Sequence, residues 1–319
     1  LGSERDFGYE SLFDTAAYNR EIDAKYGKID YTGSWFGCTS PLAHEDTKTY
    51  RICQSALDYI KKCGDEPWHV WVDITDPHLP CRPSEPFASM YRPEDMEPWQ
   101  GFGDTLENKP YIQKKQLENW HLTGFTWEDF APTVARYYAM ITQTDAAIAK
   151  IIDYLRETGQ LDNTLVILTA DHGDTSGDHG MMDKHYILYD CVLHVPFVVR
   201  YPALGHKRIE KFACNCLDLA PTVEDICHLP QSDQPRDGRS VRAYTDGSDT
   251  PAYAVFTSNG QQFGLFTQRG IRTERYKYIW NLTDVDELYD LSVDPGEKHN
   301  LALDGGYDEV KKSLGEALF

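Results

Sequence analysis

The sequence predicts an α/β fold: a mostly parallel sheet flanked by helices, followed by a small carboxyl-terminal antiparallel β subdomain. Three observations carry this. Short apolar runs rich in β-favouring residues alternate with amphipathic helical stretches. The central run, residues 164–170 (TLVILTA), is apolar without a break, as in strands covered on both faces. From about Asp237 the pattern changes to short β-like pieces between Gly, Asp and Asn turns. The expected division is 1–236 for the α/β part and 237–319 for the subdomain.

Taken in order, residues 1–48 are polar and weakly periodic. Residues 47–62 read as a helix with Ile52, Ala56, Leu57 and Ile60 on one face, stopping at Cys63-Gly64. His69-Val70-Trp71-Val72-Asp73-Ile74 reads as a buried strand. Residues 76–130, rich in Pro, Trp, Glu and Asp, form a long irregular excursion of the kind that supplies lids or binding loops. Residues 132–155 give the strongest helical pattern: Val134, Tyr138, Ile141, Ile148, Ile151, Ile152 and Leu155 recur at three- and four-residue steps. Pro132 suits the first turn and Gly159 the end. Two strand-like runs follow, 164–170 and 195–200. In the tail, 253–257, 263–267 and 270–281 are the expected strands.

Composition narrows the function. The 319 residues carry 31 Lys and Arg against 51 Asp and Glu, a formal charge of −20. Nucleic acids and anionic membrane surfaces are held by cations, so both are excluded as partners. No apolar run approaches the ~18 residues of a membrane span. The eight cysteines are scattered. Cys214-Asn-Cys216 is too close for a CxxC motif, and no zinc spacing appears. Free thiols are expected, with a lean towards a reducing, cytoplasmic compartment. The first residue is Leu1 rather than Met, which suggests a processed or cut piece.

In open α/β sheets ligands bind beyond the carboxyl ends of strands. Two strands end in chemically loaded loops, and if they are parallel neighbours these open onto one crevice. After 164–170 come Asp171, His172, Asp174, Asp178, His179, Asp183, Lys184 and His185. Asp171 offers a hard oxygen and His172 an imidazole nitrogen to a metal ion, and Gly173 permits the turn that brings them together. The competing reading is a helix-capping Asp and a surface His. Lys184 is placed to neutralise a transferring anionic group, or is a solvated surface lysine. After 69–74, His78 stands between Pro77 and Pro80, which restrict the backbone and aim the side chain. Such a His can donate to an oxyanion or protonate a leaving group; otherwise it belongs to a turn.

At these residues the sequence resembles the sulfatase family of the alkaline-phosphatase-like superfamily. The segment TLVILTADHGDTSGDHGMMDK (164–184) is similar to that family's metal strand and loop, and DPHLP (76–80) to its His-x-Pro loop. VPFVVRYP (195–202), NCLDLAPTVEDICHLP (215–230), RGIRTERYKYIWN and DELYDLSVDPGEKHNLA resemble the strand, helix and carboxyl-terminal subdomain that follow. The likeness covers roughly residues 50–303. It implies a metal-dependent hydrolase of sulfate monoesters. Asp171 and His172 match two metal ligands, usually for Ca2+, with Mn2+ or Mg2+ as alternatives. Lys184 matches the lysine on the sulfate and leaving oxygen, and His78 the substrate-contacting histidine. The implied partner is a small-molecule or carbohydrate sulfate ester.

The resemblance also implies a formylglycine nucleophile made within Cys/Ser-x-Pro-x-Arg. Cys38-Thr39-Ser40-Pro41 and Cys81-Arg82-Pro83-Ser84 do not complete that motif, and the early metal-binding aspartates have no match. The formylglycine is therefore expected in a front part that precedes these residues. Little hydrolysis and weak metal affinity are expected of this chain alone. The alternatives are a phosphonate or phosphodiester hydrolase of the same superfamily, or an inactive binding or structural module. Trp99, Trp120 and Trp127 are candidates for a sugar-stacking wall or for core packing. Asn281-Leu282-Thr283 fits a glycosylation sequon.

Overall fold

A computed structural model describes residues 11–184, 187–209, 212–230, 235–245, 253–260 and 266–319. The chain divides into two compact units: Leu1–Glu97 with Glu128–Leu161, and Pro98–Trp127 with Asp162–Phe319.

The first unit is built on helices α1 (Thr15–Tyr26), α2 (Lys48–Cys63) and most of α4 (Trp127–Glu157). Asp14 caps α1 by accepting from the Ala16 and Ala17 amides, and the Thr47 hydroxyl caps α2 at the Tyr50 amide. Both caps satisfy donors that a helix start leaves open. The predicted apolar face of α2 forms with one change: Ala56, Leu57 and Ile60 lie on it, and Cys53 rather than Ile52 completes it. Cys53, Ala56, Leu57 and Ile60 pack against Ala147, Ile151 and Leu155 of α4. α4 starts at Trp127, so Pro132 lies inside the helix rather than in its first turn. Glu128 and Asp129 favour the earlier start, because acidic side chains suit the amino-terminal end of the helix dipole. In 69–74, Val70, Val72 and Ile74 lie on the α2–α4 core while Trp71 stays exposed. The expected buried strand does not form: no strand lies over 69–74, and His69, Trp71 and Asp73 are exposed. Among the described residues no strand pairs with this segment.

The second unit contains α3 (Tyr111–Asn119), inside the excursion, and strands β1 (Val166–Thr169) and β2 (Phe197–Arg200). It also holds the short α5 (Asp190–Leu193), α6 (Asn215–Ile226) and α7 (Arg242–Thr245). Here one expectation is corrected. β1 and β2 pair antiparallel, with Val166 opposite Arg200 and Thr169 opposite Phe197. Nor is the sheet covered on both faces. Leu165, Phe197 and Val199 pack with Ile226 and Tyr244, whereas Leu168 and Val198 are exposed. An apolar run reports a preference for burial and carries no information on strand direction.

The tail forms the expected antiparallel sheet: β3 (Tyr253–Gly260), β4 (Phe266–Thr273), β5 (Tyr276–Asn281) and β6 (Glu287–Asp290), in that spatial order. Part of the expected strand 263–267 falls outside the described residues, and the expected single strand 270–281 is instead the end of β4 and all of β5, turned back on each other at Glu274-Arg275. Helix α8 (Asp308–Leu318) closes one face, where Leu314 joins Ile271, Tyr278, Leu288 and Ala302. No helix among the described residues is long and apolar enough to cross a membrane.

Candidate active site

His78 lies in the first unit, in a turn closed by its own amide on the Thr75 carbonyl at 2.9 Å. Its Nδ1 is 2.7 Å from the Leu79 carbonyl oxygen. A carbonyl only accepts, so Nδ1 carries the hydrogen and Nε2 is the basic nitrogen. The turn is anchored from α2: the Thr49 hydroxyl donates to Asp76 Oδ2 at 2.5 Å. Burial pushes the Asp76 carboxyl up, against the Thr49 hydrogen bond and nearby Lys48. Cys81, three residues after His78, is fully buried. Cys81-Arg82-Pro83 is followed by Ser84-Glu85, so Glu stands where the nucleophile motif has Arg.

Asp171 and His172 lie together in the second unit. His172 Nδ1 is 2.8 Å from the Gly173 carbonyl, which sets the tautomer, and Nε2 is 3.3 Å from Asp171 Oδ2. A protonated imidazole would donate to both oxygens as an ion pair, whereas the neutral Nδ1–H form leaves a lone pair on Nε2 that a cation shared with Asp171 would occupy. Gly173 is required here by close approach: a Cβ on it would stand 2.1 Å from the Cys191 carbonyl oxygen. Its amide donates to the Val192 carbonyl at 2.8 Å.

The rest of the ligand-rich loop separates into two groups. Asp183 and Lys184 form one, with Lys184 Nζ 3.1 Å from Asp183 Oδ1. The Asp183 carbonyl accepts from both the amide and the hydroxyl of Thr175, folding the loop back on itself. Nearby Asp174 is pushed up by burial, against hydrogen bonds from Ser176. Asp178 and His179 form the other group, on a cleft of about 430 Å³ that Cys191 and Glu297 also line. His179 is buried, stacked on Tyr189 at 3.8 Å, with Nδ1 2.7 Å from Asp104 Oδ2. That partner lies far upstream, and no local signal marks it. His185 lies outside the described residues. Among the described residues no three His, Cys, Asp or Glu side chains converge to hold an ion.

Two open readings are decided for Trp99, Trp127 and Asn281. Trp99 and Trp127 meet edge to face at 6.1 Å, with Phe102 edge-on to Trp127, so they form an aromatic cluster rather than a flat wall. Trp99 Nε1 also donates to the Ser176 carbonyl. Asn281 is buried. Its amide donates to the Val285 carbonyl and to Glu287, and its Oδ1 accepts from Gln268, so the sequon is occupied by the fold.

The family model described as Sulfatase matches residues 3–228. The chain belongs to the sulfatase family. A second model, N-sulphoglucosamine sulphohydrolase, C-terminal, matches residues 177–319 of this sulfatase-family chain. The choline-sulfatase of Rhizobium meliloti is 26% identical over 280 residues, covering 83% of this chain and 52% of its own. The delta 4,5-hexuronate-2-O-sulfatase of Bacteroides thetaiotaomicron is 25% identical over 291 residues, covering 85% and 60%. The chain thus spans between half and two thirds of the length of these curated relatives. The solved phosphonate monoester hydrolase of Agrobacterium radiobacter superposes with a TM-score of 0.82 at 24% identity, over 95% of this chain and 67% of that one. That likeness concerns the fold.

Proposed function

We propose that this chain serves a sulfuric ester hydrolase acting on sulfate monoesters of small molecules or carbohydrates. Membership of the sulfatase family carries the reading. Asp171 and His172 are the proposed metal ligands, and their donor set fits: one hard carboxylate oxygen and one imidazole nitrogen of set tautomer, side by side. Ca2+ is the first candidate and Mn2+ or Mg2+ the alternatives. Ca2+ takes about six to eight ligands, so this pair supplies only part of a shell. A divalent cation bound there would supply Lewis-acid charge to the sulfuryl oxygens. Lys184 would neutralise the same developing charge, with Asp183 holding its ammonium in place. His78, with Nδ1 donating to the Leu79 carbonyl, would present Nε2 to the ester and, in its protonated form, pass the Nε2 proton to the departing alcohol oxygen.

The phosphonate hydrolase reading uses the same residue types, so turnover decides between them. Protein isolated from its natural source is assayed side by side on an aryl sulfate and an aryl phosphonate monoester. The sulfate is expected to turn over faster, and Lys184→Ala to lower kcat by about 10²–10³. Faster phosphonate turnover would establish the second reading. Peptide mass spectrometry of the same preparation identifies the nucleophile and any formylglycine.

A further inference from the structure

The segment between His172 and Lys184 is a strained hairpin. The Thr175 amide donates to the Asp183 carbonyl at 3.0 Å and the Gly177 amide to that of Met181 at 2.7 Å, which leaves Asp178, His179 and Gly180 as the tip. Ser176, His179 and Asp183 all take positive φ, at 40°, 51° and 71°. L-residues avoid that region, so contacts from outside the hairpin have to hold it. Lys184 follows directly from its second arm, with its ammonium on Asp183.

Residues 98–119 supply such contacts. Trp99 Nε1 donates to the Ser176 carbonyl and Gln116 Nε2 to that of Met182, both at 2.9 Å. The backbone at Gly101 lies directly on the tip, where a Cβ would stand 2.5 Å from Asp178 Oδ1. The tip is tied a further time through His179. Its Nδ1 is 2.7 Å from Asp104 Oδ2, both side chains are buried, and its ring stacks on Tyr189. Burial alone would raise the Asp104 carboxyl, but His179 and Lys109 hold it below its usual value. The carboxylate therefore accepts and Nδ1 donates. A bond to an ionised acceptor is stronger than one between neutral groups.

We propose that His179 is a positioning residue: its bond to Asp104 fixes the hairpin that carries the Lys184 ammonium. The consequence for turnover rests on the reading of Lys184 as the cation that meets the developing charge. His179 touches no substrate in this role. It sets where the ammonium stands before reaction, so that no reorganisation is needed as charge develops.

Two variants separate the bond from the packing. His179→Phe keeps a ring against Tyr189 and lacks the donor, whereas His179→Asn restores a donor and tolerates positive φ. Acylation of the lysines by acetic anhydride, read by peptide mass spectrometry, reports how firmly Lys184 is held. Its rate relative to the exposed Lys312 of α8 is expected to rise about threefold or more in His179→Phe and to stay within about twofold in His179→Asn. An unchanged rate in His179→Phe, or an equal rise in both variants, would overturn the proposal. Should His179→Phe not fold, Asp104→Asn, which makes the acceptor neutral, is read in its place by the same criteria. In the natural preparation, kcat of His179→Phe on the aryl sulfate is expected to fall about tenfold at nearly constant KM, with no further loss when it is combined with Lys184→Ala. Full additivity of the two losses would also overturn the proposal. Faster labelling of Lys184 in His179→Phe, together with a Lys184→Ala variant of unchanged kcat, would support the hold and sink the catalytic reading of Lys184.

Discussion

Lys109 shows how individual side chains hold the second unit. Its ammonium is out of water and reaches Asp104, the Tyr189 hydroxyl and the Glu297 carbonyl. Asp104 in turn receives His179. Removing one partner of a buried pair leaves the other charge uncompensated, at a cost of about 3–5 kcal/mol. Lys109→Met is therefore expected to lower the unfolding free energy by that amount, read from urea denaturation. Asn281 gives the opposite kind of case, a motif emptied by burial. Intact mass of the chain from a glycosylating host is expected to show no glycan at Asn281. Asn281→Ala is expected to cost about 1–3 kcal/mol through the polar partners it strands. The sequence set Asp171 beside His172 by adjacency, but it pointed Lys184 at an anionic group or at solvent rather than at Asp183. The contact of His179 with Asp104 was not legible, since it links distant segments and leaves no periodicity in either.

Among the elements, α2 follows its sequence closely. Of the four apolar side chains at helical spacing, Ala56, Leu57 and Ile60 meet α4, while Ile52 gives its place to Cys53 one residue on. Leu57→Ala should cost about 2–5 kcal/mol, because the cavity lies between two helices that relax only in part. Thr47→Ala should cost about 1 kcal/mol through the lost cap. Urea midpoints of the two variants, compared at equal slope, check both figures. The start of α4 was less legible, because Pro132 gave a local start signal that the acidic turn at Glu128 and Asp129 overrode. The direction of β1 against β2 was not legible at all.

At the scale of the whole molecule, distant segments of the second unit are tied by charge. Asp190 of α5 pairs with Arg272 of β4 and Lys277 of β5, and Lys277 also reaches Glu297. Burial alone would raise the Asp190 carboxyl, but Lys277 and Arg272 hold it down at about 2. Its unfolded value is about 3.9. A depressed acid contributes stability that is present above the unfolded value and lost as pH falls through the folded one, here about 2–3 kcal/mol. Asp190→Asn should accordingly lie about 2–3 kcal/mol below the unsubstituted chain at pH 7. The gap should narrow between about pH 4 and pH 2 in urea unfolding. A gap constant across that window would remove the pairing as its cause.

By itself the sequence determined the α/β class, the antiparallel tail, the family and the face of α2. All of these rest on local periodicity or on residues adjacent in the chain. The tertiary structure decided the antiparallel pairing of β1 with β2, the edge-on packing of Trp99 and Trp127, the occupied amide of Asn281 and the bond of the Cys38 amide to the Cys81 carbonyl. Each depends on contact between segments far apart in sequence. Spacing within a segment expresses its preference for burial or for a helical period, whereas partner and direction follow from the summed contacts of the folded chain.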